Sequence, residues 1–170
     1  MLLENVKKVC IMKITTIFNE EIDTPCVGCV VMDKTKFQEG RIYQSKLWDL
    51  SQDFEIAYPG MLVLSPMRHV SNYIDLTEDE LKELNVLMTH CKKAIKKIFN
   101  CNKVAYMFYE KPDGHVHFVI IPLHGLVEIK DKYSVLGELM SKAKDLRNSQ
   151  ENMAQVVKVI DELRAYFRKM

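Results

Sequence analysis

The sequence contains no apolar run close to the roughly 18–20 residues that a membrane-spanning helix needs, so no membrane segment is expected. Glycine and proline are scarce, 6 and 5 of 170 residues, which excludes collagen-like and low-complexity architectures. Charge of one sign is not in excess either: 24 Lys and Arg stand against 23 Asp and Glu, a formal charge of +1. A chain so balanced has no sequence-wide pull towards nucleic acid or an anionic membrane, and neither is expected as a partner. The N-terminal stretch MLLENVKKVCIMKITTIF interrupts its apolar residues with Glu4, Lys7, Lys8 and Lys13. It lacks the unbroken apolar centre, about 7–15 residues, of a signal peptide, so a cytoplasmic protein is expected. In that reducing compartment five cysteines, an odd number, stay free or bind metal instead of closing a set of disulfides.

What is present is ordinary globular material, 48% hydrophobic and 28% charged, with ten methionines expected as core filler. No internal repeat or linker divides the chain, and its length suits one domain over 1–170 with its own core. Residues 1–20 read as an N-terminal extension, a strand or a swapped arm, and 21–40 read as loop. Strands are expected over 41–48, 61–65, 103–110 and 115–122. Pro59-Gly60 marks a turn, and Lys111-Pro112-Asp113-Gly114 joins the last two strands as a hairpin. A helix is expected over about 77–99: Thr77 and Glu80 form a capping box, and Leu81, Leu84, Leu87, Met88, Cys91, Ile95 and Ile98 recur at helical spacing. Helices are also expected over about 132–146 and 150–168, making 126–170 a helical C-terminal part. Hairpin-paired strands with helices packed on them give an α+β fold.

Two motifs carry chemistry. In Gly114-His115-Val116-His117-Phe118-Val119-Ile120-Ile121-Pro122, strand alternation sends His115, His117 and Val119 to one face and Val116, Phe118 and Ile120 to the other. Two imidazoles on one face make a candidate chemical centre. Cys26-Val27-Gly28-Cys29 is a CxxC, which in such a chain means redox or zinc chemistry. A thioredoxin-like site needs a following helix, and a charged loop follows here, so zinc is favoured. Two thiolates leave two ligands to be found among His69, His90, His115, His117 and His124.

These residues together resemble the histidine-triad family. HVHFVIIP resembles its His-x-His-x-His strand, and PGMLVLSPMRHVSNYIDLTEDELKEL resembles its Pro-Gly strand, Pro-x-x-His segment and helix start. CVGC resembles the N-terminal CxxC of the zinc-containing members, and the order and spacing agree from about Cys26 to Pro122. The resemblance implies an α+β histidine-triad-like fold and a homodimer. It implies a nucleotide hydrolase or transferase that cleaves nucleotidyl–phosphate or nucleotidyl–amine bonds through a nucleotidyl-histidine intermediate. His117 matches the nucleophilic middle histidine, a role that a neutral imidazole suits near pH 7. Cys26, Cys29, His69 and His115 match a closed, structural zinc site. Without zinc, His115 would act as a neighbouring donor at the phosphate.

The pattern breaks at its third histidine, where Val119 stands and cannot donate to a phosphate or leaving group. The loop before the triad is short, Tyr109 to Gly114, without Ser or Gln. His124 is a candidate substitute donor. Trp48 is a candidate to stack on a base, against an ordinary core role. Asp53, with Phe54 beside it, is a candidate for the ribose hydroxyls. Arg68 and Lys111 could meet phosphate but read as solvated surface, as do Lys92, Lys93, Lys96 and Lys97. Cys10, Cys91 and Cys101 read as buried thiols. The competing reading is a catalytically degenerate, zinc-stabilised nucleotide-binding or interaction module.

Overall fold

The structure, a computed structural model, describes residues 11–110, 114–124 and 134–170. Its elements in chain order are β1 (Met12–Thr15), β2 (Glu21–Thr24), a 3-10 turn (Val27–Met32), β3 (Arg41–Gln44), β4 (Trp48–Gln52), β5 (Leu62–Pro66), a second 3-10 turn (Tyr73–Asp75), α1 (Glu78–Phe99), β6 (Val104–Tyr109), β7 (His117–Pro122), α2 (Val135–Asn148) and α3 (Gln150–Phe167). β1 and β2 form a hairpin of their own, and the other five strands form an antiparallel sheet in the order β3-β4-β5-β7-β6. The fold class is the α+β one expected from the pairing pattern.

The sheet's two faces are read from the alternation of β5 and β7, whose central positions are buried on both sides. Leu62, Leu64, Phe118 and Ile120 face a core built with α1 and α3, while Val63, Val119 and Ile121 face a second cluster closed by Val135 and Leu139 of α2. β6 lies at the edge beside β7, in a register that sets Tyr109 opposite His117 and Met107 opposite Val119. α1 begins where the capping box places it: Thr77 accepts from the Glu80 amide and Glu80 from the Thr77 amide. It ends at Asn100, which takes the left-handed conformation (φ 50°). Gly60 turns the chain into β5 at φ 79°, a conformation that glycine adopts without steric cost.

The expected single strand over 41–48 is two strands. Ser45 breaks it, because its hydroxyl accepts from the amides of Leu47 and Trp48 and its own amide donates to the Trp48 carbonyl, turning the chain back on itself. The expected loop over 21–40 holds β2 and the first 3-10 turn. β7 begins at His117 and not at His115, because the Val116 amide is taken by the Val70 carbonyl at 2.7 Å. Residues 11–20 supply β1. Cys10, most of the expected hairpin at 111–114 and the expected start of α2 at 132 lie outside the described residues. No helix among the described residues is long and apolar enough to cross a membrane.

Candidate metal centre and active site

Three chain segments converge beside the start of β7. Cys26 and Cys29 flank the first turn of the 3-10 segment, whose tight winding (Cys29 amide to Cys26 carbonyl, 3.1 Å) puts both thiols on one side. Thr24 fixes the entry: its hydroxyl donates to the Cys26 carbonyl at 2.8 Å and accepts from the Cys26 amide at 3.2 Å. His69 comes from the segment after β5, and His115 from the residues before β7. One ligand atom from each of Cys26, Cys29, His69 and His115 lies within 4.8 Å of the other three. Cys29 Sγ is 3.1 Å from His69 Nδ1 and 3.5 Å from His115 Nδ1. Tetrahedral zinc with bonds of about 2.0–2.3 Å holds its ligand atoms roughly 3.3–3.8 Å apart, so the four side chains are close to that arrangement.

Proton bookkeeping around the two imidazoles supports the same conclusion. His115 Nε2 is 2.9 Å from the Pro66 carbonyl, which only accepts, so Nε2 carries the hydrogen and Nδ1 presents a lone pair to the thiols. Ser71 donates its hydroxyl hydrogen to the Gly114 carbonyl at 2.9 Å. Its contact with His69 Nε2 at 3.3 Å therefore has the imidazole as donor, leaving His69 Nδ1 free as a ligand too. Burial pushes His115 down to about 4, which keeps it neutral at physiological pH, as a ligand must be. Burial, then the hydrogen bond and charge of Cys26, push the Cys29 thiol up to about 12. A thiol held protonated in that way gains from a divalent cation that stabilises its thiolate. The donor set, spacing and tautomers fit zinc.

His117 stands next in line. Its Nδ1 is 3.1 Å from the His115 carbonyl, so Nδ1 carries a hydrogen and the neutral tautomer of the ring has its lone pair on Nε2. Tyr109 stacks on the ring at 5.5 Å between centroids, with planes 18° apart. His117 is half-buried and Val119, two residues on, is buried in the cluster beneath α2.

The other candidate residues are not brought to this centre. Trp48 is fully buried, its indole N–H donating to the Glu80 carbonyl and its ring edge-packed on Phe118, so neither ring face is open to a base. Asp53 closes the loop after β4 by accepting from the amides of Glu55 (2.9 Å) and Ile56 (2.8 Å). His124 lies beyond the opposite end of β7, roughly 20 Å away at strand rise. It is stacked between Tyr58 and Phe99 and donates to the Pro59 carbonyl. Arg68 is exposed, as expected, but engaged: its guanidinium grips both oxygens of the buried Glu80 at 2.7 and 2.8 Å, holding that carboxyl below its usual range and tying the His69 segment to the start of α1. Cys91 and Cys101 are buried free thiols, as expected. Thr24, Ser71 and Tyr109 are not among the residues the sequence singles out; a hydroxyl two residues from a ligand is the one local signal that could have found Thr24 and Ser71.

The sequence matches no family model and no curated protein. Solved structures do match in three dimensions. A zinc-bound histidine-triad family protein from Mycobacterium smegmatis superposes with a TM-score of 0.59 at 14% identity, covering 85% of this chain and 94% of that one. A hypothetical histidine triad nucleotide-binding protein from Sulfolobus tokodaii gives 0.58 at 20% identity, with coverages of 85% and 96%. The chain has the histidine-triad fold. A diadenosine triphosphate hydrolase from Plasmodium falciparum gives 0.54 at 17% identity, with 78% of each chain covered.

Proposed function

We propose that this protein is a nucleotide hydrolase. It cleaves a nucleotidyl–phosphate or nucleotidyl–amine bond through a nucleotidyl-histidine intermediate on His117. The observation that carries this reading is the committed tautomer of His117. With Nδ1–H given to the His115 carbonyl, the unprotonated ring carries its lone pair on Nε2, the nucleophilic nitrogen of a half-exposed imidazole. The histidine-triad fold supports it, since proteins named as a hypothetical nucleotide-binding protein and a diadenosine triphosphate hydrolase share that fold.

Zinc held by Cys26, Cys29, His69 and His115 has a structural role in this reading, because four protein ligands close the coordination sphere. It would pin the 3-10 turn and the His69 segment to the strand that carries the nucleophile. Trp48, Asp53 and His124 have no part in the reading. The compartment is the cytoplasm, where the thiols stay reduced. The chain acts as a homodimer, for which the exposed aromatic side chains of Tyr106 and Phe108 on the edge strand β6, beside Tyr73, offer an apolar surface; sedimentation should give twice the chain mass.

The test is turnover of dinucleoside polyphosphates and nucleoside phosphoramidates by the zinc-loaded protein and by His117→Ala. Turnover in the wild type that is lost in a variant still holding zinc supports the reading. A zinc-loaded wild type with no turnover overturns it in favour of a binding module, and loss of zinc from His117→Ala makes His117 a ligand instead.

A further inference from the structure

Val119 occupies the place of a third histidine, and its environment explains why no donor stands there. It is buried, lies opposite Val63 of β5 and Met107 of β6, and shares a cluster with Val135 and Leu139 of α2. A histidine at this point would bury a polar ring beneath α2. A phosphoryl group on His117 therefore needs its hydrogen-bond donor from elsewhere on the same sheet face.

Directly opposed residues of an antiparallel pair project to one face. Tyr109 opposes His117 and Met107 opposes Val119, so the four side chains form one patch, two rows deep. Tyr109 stacks on the His117 imidazole in the first row. Its hydroxyl is 3.9 Å from Met107 Sδ, which places the phenol oxygen towards the second row, on the Val119 side of His117. A thioether is a feeble acceptor, so this contact leaves the O–H available. Burial also raises the phenol above its ordinary value, which keeps the proton on oxygen at neutral pH.

We propose that Tyr109 is the hydrogen-bond donor to the transferring phosphoryl group, in the role left open by Val119. The proposal rests on His117 being the nucleophile. In the first step the Nε2 lone pair forms an N–P bond while the bond from phosphorus to the leaving oxygen or nitrogen breaks. The leaving group departs with that electron pair, a leaving nitrogen taking a proton from solvent. Tyr109 keeps its own proton throughout and donates a hydrogen bond to a non-bridging phosphoryl oxygen, where charge is held in the transition state. In the second step water forms the new P–O bond, the N–P electron pair returns to Nε2, and the water proton passes to solvent.

The experiment compares wild type, Tyr109→Phe and His117→Ala as zinc-loaded full chains. Two readouts are taken: turnover of diadenosine triphosphate and a nucleoside phosphoramidate, and inhibition by inorganic orthovanadate, a trigonal-bipyramidal mimic of phosphoryl transfer. Tyr109→Phe should lose about 10²–10³ in kcat with little change in KM, and vanadate inhibition should weaken by a similar factor. Its melting temperature and zinc content should match wild type, because only an O–H is removed. Wild-type kcat and vanadate sensitivity in Tyr109→Phe would overturn the role of Tyr109 and leave His117 standing. A rise in KM alone would likewise overturn it, making Tyr109 a ground-state contact. A wild type that neither turns over nor responds to vanadate would overturn the nucleophile reading and this proposal with it.

Discussion

Gly28 sits inside the Cys26–Cys29 loop, and replacing it with alanine tests the metal centre without touching a ligand. A Cβ built there would lie 2.4 Å from His115 Cβ, 2.6 Å from its Cγ and 2.9 Å from Nδ1 itself. Ordinary contact begins at 3.4 Å, so the imidazole or the 3-10 turn must retreat by about 1 Å. Gly28 has no positive φ, so space alone is at issue. A zinc–nitrogen bond tolerates about 0.2 Å, far less than that retreat. Gly28→Ala should therefore displace His115 from the coordination sphere. Disturbing outer-shell partners of a metal costs about 10–100-fold in affinity, and losing a direct ligand should reach at least the upper end. A hundredfold loss is about 2.8 kcal/mol at 1.4 kcal/mol per decade. Competition with a chromophoric chelator measures the affinity, and cobalt(II) substitution reports the ligand set through its d–d bands. Gly137→Ala is the control: its Cβ meets nothing within 4 Å, and in the first turn of α2 the change should stabilise by at most about 0.4–1 kcal/mol. Wild-type zinc affinity and an unaltered cobalt spectrum in Gly28→Ala would refute the assignment of His115 as a ligand.

Two further outcomes follow from the same geometry. Ser71→Ala removes the acceptor that fixes the His69 tautomer and its link to the Gly114 carbonyl, so zinc affinity should fall about 10–100-fold, and undiminished affinity in the chelator assay would show that Ser71 does not orient the ligand. Burial holds the His124 imidazole below its ordinary 6.5, so its contribution to stability is complete above about pH 6.5 and is lost as the pH falls towards the lower folded value. Urea unfolding of the zinc-loaded protein between pH 7 and 5 should be flatter in His124→Phe than in wild type, by up to about 1.4 kcal/mol per pH unit, and identical slopes would refute the shift. The difference between the two proteins is the quantity to read, because Asp49, raised to about 6 by burial against the pull of Arg41, works in the opposite sense over about pH 4–6 in both.

The parts of the fold that were legible were those where one residue type has one local job. Thr77 and Glu80 cap α1 as their spacing requires, and Gly60 takes the left-handed turn that Pro59-Gly60 announces. The four metal-centre residues were legible because cysteine pairs and paired histidines are uncommon enough to stand out, although only the family resemblance chose His69 and His115 over the other histidines. Misreadings arose where a side chain acts on the backbone. Ser45 looked like one polar residue within a strand, yet its hydroxyl captures two amides and divides the strand. Trp48 could be read as base-stacking or as core because sequence does not say which strand face α1 will cover. The structure buries it and spends its N–H on Glu80.

Val119 illustrates the limit most clearly. Along the sequence it is only a missing histidine, a loss at a site. Across the sheet it lies in a cluster with Val63 and α2's Val135 and Leu139, so the apolar residue there is required by the helix that follows. The helical period of 134–148 reveals that α2 has an apolar stripe but not which sheet face receives it. Once α2 lies on the face of β7 that carries His117, a valine at 119 and a reaching phenol at 109 belong to one arrangement. The metal centre enters it through the backbone: His115 is held at Nε2 by the Pro66 carbonyl and at Nδ1 beside Cys29, and the carbonyl of the same residue takes the Nδ1–H of His117. Zinc at Cys26, Cys29, His69 and His115 would then fix the nucleophile's tautomer through a single hydrogen bond, which gives a structural metal a direct bearing on the chemistry proposed for its neighbour.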